Sequence, residues 1–149
     1  KSMTLDDLTV AFSHIDRNSL LSDWDWLLQG AFLPILISAS GDAFVQHVYN
    51  GQVWWLDTGG GELTQVSDSF DEFKVKLSNR EFVAEKFAVQ MVGDLIQSGK
   101  TLSHGQIYSL VKPWLLGGEY EISNIEPTDL EVHFSLLGQI ASQVGVAKS

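Results

Sequence analysis

Asp94-Leu95-Ile96-Gln97-Ser98-Gly99-Lys100-Thr101 ends like a phosphate-binding loop, in Gly-Lys-Thr. Such a loop needs a glycine four residues before the Gly-Lys pair, and it follows a strand and opens a helix. Here Asp94 occupies that place, Gly93 comes one residue too early, and the segment closes an apolar helical pattern. Amides at a helix C-terminus do not face an anion. The expectation is a helix stop at Gly99, with Lys100 beside the negative end of the helix dipole and no nucleotide. Asp57-Thr58-Gly59-Gly60-Gly61-Glu62 joins two carboxylates to three glycines. It reads either as a flexible turn between strands or as an edge for a cation or substrate, and it lacks the Asp-x-Asp-x-Asp-Gly order of a calcium loop. Gly117-Gly118-Glu119 reads as a turn entering a strand. His14, His47, His104 and His133 share no metal-ligand spacing, and cysteine is absent. No Gly-x-Ser-x-Gly elbow marks a nucleophile. Among 19 acidic residues, carboxylate pairs can be chosen almost anywhere, so pairing alone singles out none. The expectation is therefore no catalytic residue, no metal and no cofactor.

Charge says more than motif. The 149 residues carry a formal net charge of −10, unevenly spread. Between Arg17 and Lys74 there is no Lys or Arg, but there are eight acids: Asp23, Asp25, Asp42, Asp57, Glu62, Asp68, Asp71 and Glu72. Between Lys112 and Lys148 there are five more, Glu119, Glu121, Glu126, Asp129 and Glu131, again without a cation. Six of the nine basic residues fall between positions 74 and 112. A surface of this kind repels nucleic acid, which needs clustered Lys and Arg, and it draws in a basic protein. Acidic surfaces also keep proteins in solution, which is the plainer reading. No apolar run approaches the roughly 20 residues of a membrane span, and no signal-peptide pattern opens the chain. Together with the missing cysteine, these features set the expectation of a cytoplasmic protein without membrane or nucleic-acid contact.

The elements that must position these residues follow from periodicity and turn chemistry. Residues 1–149 read as one domain without linker or repeat. Thr4 opens a helical pattern through Leu5, Leu8, Phe12 and Ile15, and Ser22 opens a short one through Trp24, Trp26, Leu27 and Leu28. Ser69 with Glu72, Ser78 with Glu81 and Thr128 with Glu131 fit capping boxes. The Ser78 helix is expected to run through Val83, Phe87, Met91 and Leu95 to Gly99, and the Thr128 helix to present Phe134, Leu137, Ile140, Ala141 and Val144. Strands are expected at 33–39, 43–49, 52–58, 63–66, 106–111 and 119–123. Asn50-Gly51 is a strong hairpin signal, and a two-residue turn there would pair His47 with Trp54 and Val45 with Leu56. Segregated runs of this kind give an α+β fold, an antiparallel sheet with a central hairpin and meander covered by amphipathic helices.

Five tryptophans make packing and recognition both relevant. Trp54 and Trp55 are neighbours in a strand, so their rings point to opposite faces, one toward the core and the other toward a second layer or a partner. Trp24 and Trp26 would be separated by about 200° on a helix. The residues expected to bind a partner are Trp54 and Trp55 as anchors, with Asp57, Glu62, Glu119 and Glu121 as an acidic face.

Certain strings resemble a known family. They are Gly41-Asp42-Ala43-Phe44; Gly51-Gln52-Val53-Trp54-Trp55-Leu56-Asp57-Thr58-Gly59; and Ser69-Phe70-Asp71-Glu72-Phe73. Further on come Tyr108, Lys112-Pro113, Leu116-Gly117-Gly118-Glu119-Tyr120, Asn124, and Val132-His133-Phe134-Ser135-Leu136-Leu137-Gly138-Gln139-Ile140. Over roughly residues 20–145 the chain is similar to a bacterial domain family, formerly of unknown function. That family includes the C-terminal domain of type VI secretion DNase-immunity (Tdi-type) proteins. Some members carry an upstream domain that is absent here unless residues 1–20 are its remnant. The resemblance implies a non-enzymatic protein that neutralises a toxin, with a basic protein toxin as partner. Two other readings stay open from the residues alone: a small metal- or carboxylate-dependent enzyme using the glycine-rich loops, and a regulatory or scaffold module. Oligomeric state is not legible in the sequence.

Overall fold

The computed structural model describes residues 3–148 of the chain. Strand alternation builds its centre. Strands β1 (Thr9–Val10), β2 (Phe32–Ser38), β3 (Ala43–His47), β4 (Val53–Asp57) and β5 (Glu62–Ser67) form an antiparallel meander in that order. Along β3, Ala43 and Val45 enter one apolar cluster and Phe44 the other; along β4, Leu56 joins the first and Val53 the second. The sheet is therefore covered on both faces. Helix α7 (Leu130–Lys148) covers the first face through Leu130, Phe134, Leu137 and Ala141, with Trp24 and Leu28 from the N-terminal segment. Helices α4 (Phe70–Lys76), α5 (Arg80–Lys86) and α6 (Val89–Gln97) cover the second through Phe73, Phe87, Val92 and Leu95. A two-stranded arm, β6 (Gln106–Leu110) with β7 (Ile125–Asp129), places Ile107 in the first cluster and Tyr108 in the second. The expected α+β class, with a central hairpin and meander under helices, is what the chain adopts. Among the described residues no helix is long and apolar enough to cross a membrane.

Local departures have local causes. The helix from Thr4 stops after one turn, α1 (Leu5–Leu8), because the β-branched Thr9-Val10 pair turns extended and takes the free edge of β2, Thr9 opposite Ser38 and Val10 opposite Ile37. Residues 22–28 form a 3-10 turn (Ser22–Trp24) followed by α3 (Asp25–Leu28); a further turn, α2 (Arg17–Leu20), precedes them. The hairpin keeps its alternation but not its expected register: Val45 lies opposite Trp54, and His47 donates its amide to Gln52 O. The loop spans residues 48–51 because the His47 ring accepts the Tyr49 and Asn50 amides at Nδ1 and Gly51 N bonds His47 O. A shift of two residues leaves every side chain on its own face. Ser69 caps α4 as expected, but Asn79 rather than Ser78 caps α5, and Asp129 rather than Thr128 accepts the Val132 amide at the start of α7. Residues 119–123 form no strand; the partner of β6 is the following segment, 125–129.

The helix expected from Ser78 to Gly99 breaks at Ala88, which adopts φ 49° and ψ 51° between α5 and α6. An alanine in the left-handed region costs roughly 1–2 kcal/mol that a glycine avoids. Ala88→Gly is therefore expected to stabilise the fold by about 1 kcal/mol, net of the extra freedom glycine gives the unfolded chain. That is a rise of a few degrees in Tm by thermal denaturation; a fall in Tm would show that the Ala88 methyl contributes more as packing than it costs as strain.

Candidate functional site

Three of the strings that resemble the family, those with Gly41, Thr58 and His133, meet at one buried histidine. His133 stands in the first turn of α7 and is 4% exposed. Its Nε2 lies 2.7 Å from Gly41 O, a pure acceptor, so Nε2 carries the hydrogen and donates to that carbonyl. Its Nδ1 then accepts from the Ser109 hydroxyl at 2.7 Å. Thr58 Oγ1 lies 3.2 Å from Nε2, 2.7 Å from Gly41 O and 3.1 Å from Asp42 Oδ1, tying histidine and carboxylate into one network. Burial disfavours the imidazolium and lowers His133 to about 4, against a smaller raising effect from the Gly41 bond. A base that weak does not activate the Ser109 hydroxyl at neutral pH.

Asp42 sits across Thr58 from the histidine. Its Oδ1 accepts from Thr58 N at 3.0 Å as well as from the Thr58 hydroxyl. Burial first, and the nearby Asp57 charge second, push Asp42 up to about 7, while the Thr58 bonds and Lys86 pull the other way. Asp57 itself accepts the Gly59 and Gly60 amides at 3.1 Å each, which fixes the glycine turn. The Tyr120 hydroxyl rests on Gly59 so closely that a β-carbon there would lie 2.0 Å away and would push the ring aside. Burial, then Asp57 and Asp42, raise Tyr120 to about 12, which keeps it a neutral phenol. Asn124 holds the loop that delivers Tyr120: Oδ1 accepts Lys112 N, and Nδ2 donates to Lys112 O and Glu119 O, all at 3.0 Å. Asp42, Thr58, Ser109, Trp114, Tyr120 and His133 line a cavity of about 100 Å³.

The residues expected to bind a partner fall in two groups. Trp54 packs into the first apolar cluster and Trp55 into the second, so the other face of the sheet meets a second layer. Both are half-buried, and neither indole N–H meets an acceptor among the described residues. Lys86 lies 4.1 Å above the Trp55 ring. Glu62, Glu119 and Glu121 are exposed and Asp57 is half-buried. The turn 57–62 touches the segment carrying Glu119 and Glu121, with Tyr120 against Gly59 and Leu115 near Gly61. Lys100 does not sit free at a helix end: its ammonium donates to Ile122 O, Ile125 O and the Glu126 carboxylate at 2.7, 2.9 and 2.8 Å. Its three donors hold the 122–126 segment and leave none for a phosphate. Asp42, Thr58, Trp114, Tyr120 and His133 were not singled out by type or spacing. Four of the five lie in the strings shared with the family, and that was the signal available.

No curated protein matches the chain. The crystal structure of Atu4351 from Agrobacterium tumefaciens superposes with a TM-score of 0.66 at 18% identity, covering 84% of this chain and 65% of that one. This chain thus spans less than two thirds of that structure, and the likeness is one of fold. The family described as T6SS immunity protein Tdi1, C-terminal, matches residues 67–141, half of the chain, including the arm, the Tyr120 loop and His133; the chain belongs to that family.

Proposed function

We propose that this protein is a non-enzymatic immunity protein that binds and neutralises a basic protein toxin of type VI secretion, a nuclease, in the cytoplasm. The observation that carries the reading is the contact between the two cation-free stretches. The turn 57–62 packs against the 113–121 segment through Tyr120 on Gly59 and Leu115 near Gly61, which supports reading Asp57, Glu62, Glu119 and Glu121 as one acidic face. Trp114, Leu116 and Tyr120, between 51% and 53% exposed, lie in the same segment. Apolar anchors among like charges suit a protein partner of opposite charge: the anchors set the off-rate, and the charges set the on-rate. A nuclease carries the basic surface such a face complements, since it must bind phosphate. Trp54 and Trp55, half-buried in β4, are the further anchors of this proposal.

The test is charge reversal at exposed positions, Glu62→Lys with Glu119→Lys and Glu121→Lys, in a bacterium exposed to the cognate toxin. Protection should be lost with Tm unchanged. The association rate with purified toxin should drop at least tenfold at low salt and lose its ionic-strength dependence. Full protection by the triple variant would remove the acidic face from the proposal. A toxin that does not bind the parent protein would remove the immunity reading itself.

A further inference from the structure

We propose that the cavity beside His133 receives the ammonium group of a lysine side chain presented by a protein partner. The choice of a protein as the source rests on the immunity reading; the chemistry of the cavity does not. The Asp42 carboxylate lines the cavity, and its Oδ1 is held twice by Thr58. Among the described residues no donor reaches its Oδ2. Lys86, the cation acting on Asp42, is occupied elsewhere, 3.1 Å from Glu85 and over the Trp55 ring. Ser40, Ser109 and His133 add polar wall, and Trp114, Tyr120, Met91, Pro113 and Leu110 supply aromatic and apolar wall. Trp114 and Tyr120 are each 51% exposed, so they are accessible to a partner.

A carboxylate beside aromatic rings is the chemistry that recognises an alkylammonium ion. The rings attract the cation and cover its methylenes, and the carboxylate accepts its N–H. A volume of about 100 Å³ suits the slim end of a lysine. A guanidinium is a poorer fit, because its planar fork needs paired acceptors and a single carboxylate oxygen is open. A metal ion fits less well, since no group of three metal-ligating side chains gathers among the described residues. Asp57 adds negative charge next to Asp42, and a bound cation would relieve that repulsion.

The probe is n-butylammonium, titrated into the isotope-labelled full chain and followed by NMR, with 1-pentanol as the neutral probe of matching shape. Saturable shifts are expected at the amides of Asp42 and Thr58 and at the Trp114 indole, with a Kd of about 1 mM or weaker for so small a ligand. Affinity should rise at least threefold from pH 5 to pH 8 as Asp42 ionises. It should fall at least tenfold for 1-pentanol and for Asp42→Asn, a variant that keeps the Thr58 bonds and whose folding is checked by its spectrum. Equal shifts with pentanol, an unaffected Asp42→Asn, or shifts centred on Glu62, Glu119 and Glu121 would each overturn the proposal. The titration needs no toxin. A protein that protects cells but ignores the amine refutes the cavity proposal alone, and one that takes the amine but gives no protection refutes the immunity reading and the protein source, with the ammonium site standing.

Discussion

Gly41→Ala is expected to destabilise the protein by about 3 kcal/mol, more than a backbone penalty alone can explain. Gly41 has φ +92°, where a side chain is strained, at roughly 1–2 kcal/mol. The added methyl would also lie 2.6 Å from His133 Nε2, 2.9 Å from its Cε1 and 3.2 Å from Tyr108 O. The histidine cannot retreat, because its two ring nitrogens are bonded to Gly41 O and Ser109. Overpacking a fixed core group typically costs a further 1–3 kcal/mol. Gly99 provides the control, with φ +94° and nothing within 4 Å of a would-be β-carbon. Urea unfolding of both alanine variants separates the two contributions. If Gly41→Ala costs no more than Gly99→Ala, the His133 network is softer than its geometry states.

The second large effect is in pH. Asp42, raised to about 7, keeps its proton in the folded protein where the unfolded chain, near 3.8, has lost it. From pH 4 to 7 this makes stability fall by up to about 1.4 kcal/mol per pH unit, and above pH 7 the loss is complete. His133, lowered to about 4, does the reverse: the unfolded chain, near 6.5, takes up a proton that the folded protein refuses. Its contribution is fully present above pH 6.5 and is lost as pH falls toward 4. Across the shared window the two slopes oppose and largely cancel. Asp42→Asn removes one of them. The stability of that variant relative to the parent should rise between pH 4 and 7, by up to about 4 kcal/mol, and then stay level. His133→Gln should show the opposite trend over pH 4 to 6.5. Urea midpoints at pH steps read both, and a difference that does not vary with pH would mean that Asp42 ionises as it does in solvent.

Strand alternation and turn residues made the meander legible, because Ala43–His47 and Val53–Asp57 alternate between two apolar layers and the sheet enforces that period. Capping was legible only to within one residue, since Ser78-Asn79 and Thr128-Asp129 each offer two adjacent oxygens and packing decides between them. The break at Ala88 carried no glycine or proline to announce it. Strand β7 was hidden by Pro127 and flanking polar residues, yet it pairs as an edge, where a missing amide is tolerated. The site was the least legible. Asp42, Thr58, Ser109, Tyr120 and His133 come from five segments, and no local spacing encodes a contact made by tertiary folding. Composition did mark the two acidic stretches, but not their contact through Gly59 and Tyr120.

Residues 23–26 close on α7. The Trp24 indole donates to Phe134 O at 2.8 Å, Trp26 to Gly138 O at 3.2 Å, and the Ser135 hydroxyl bonds the Asp23 carboxylate. These pairs are separated by 110 to 112 positions. During synthesis, the first apolar cluster thus has no floor until Leu130, Phe134 and Leu137 have left the ribosome. Contacts so distant along the chain make folding slow. Until α7 is made the chain exposes apolar surface, and the His133 network assembles only with that helix.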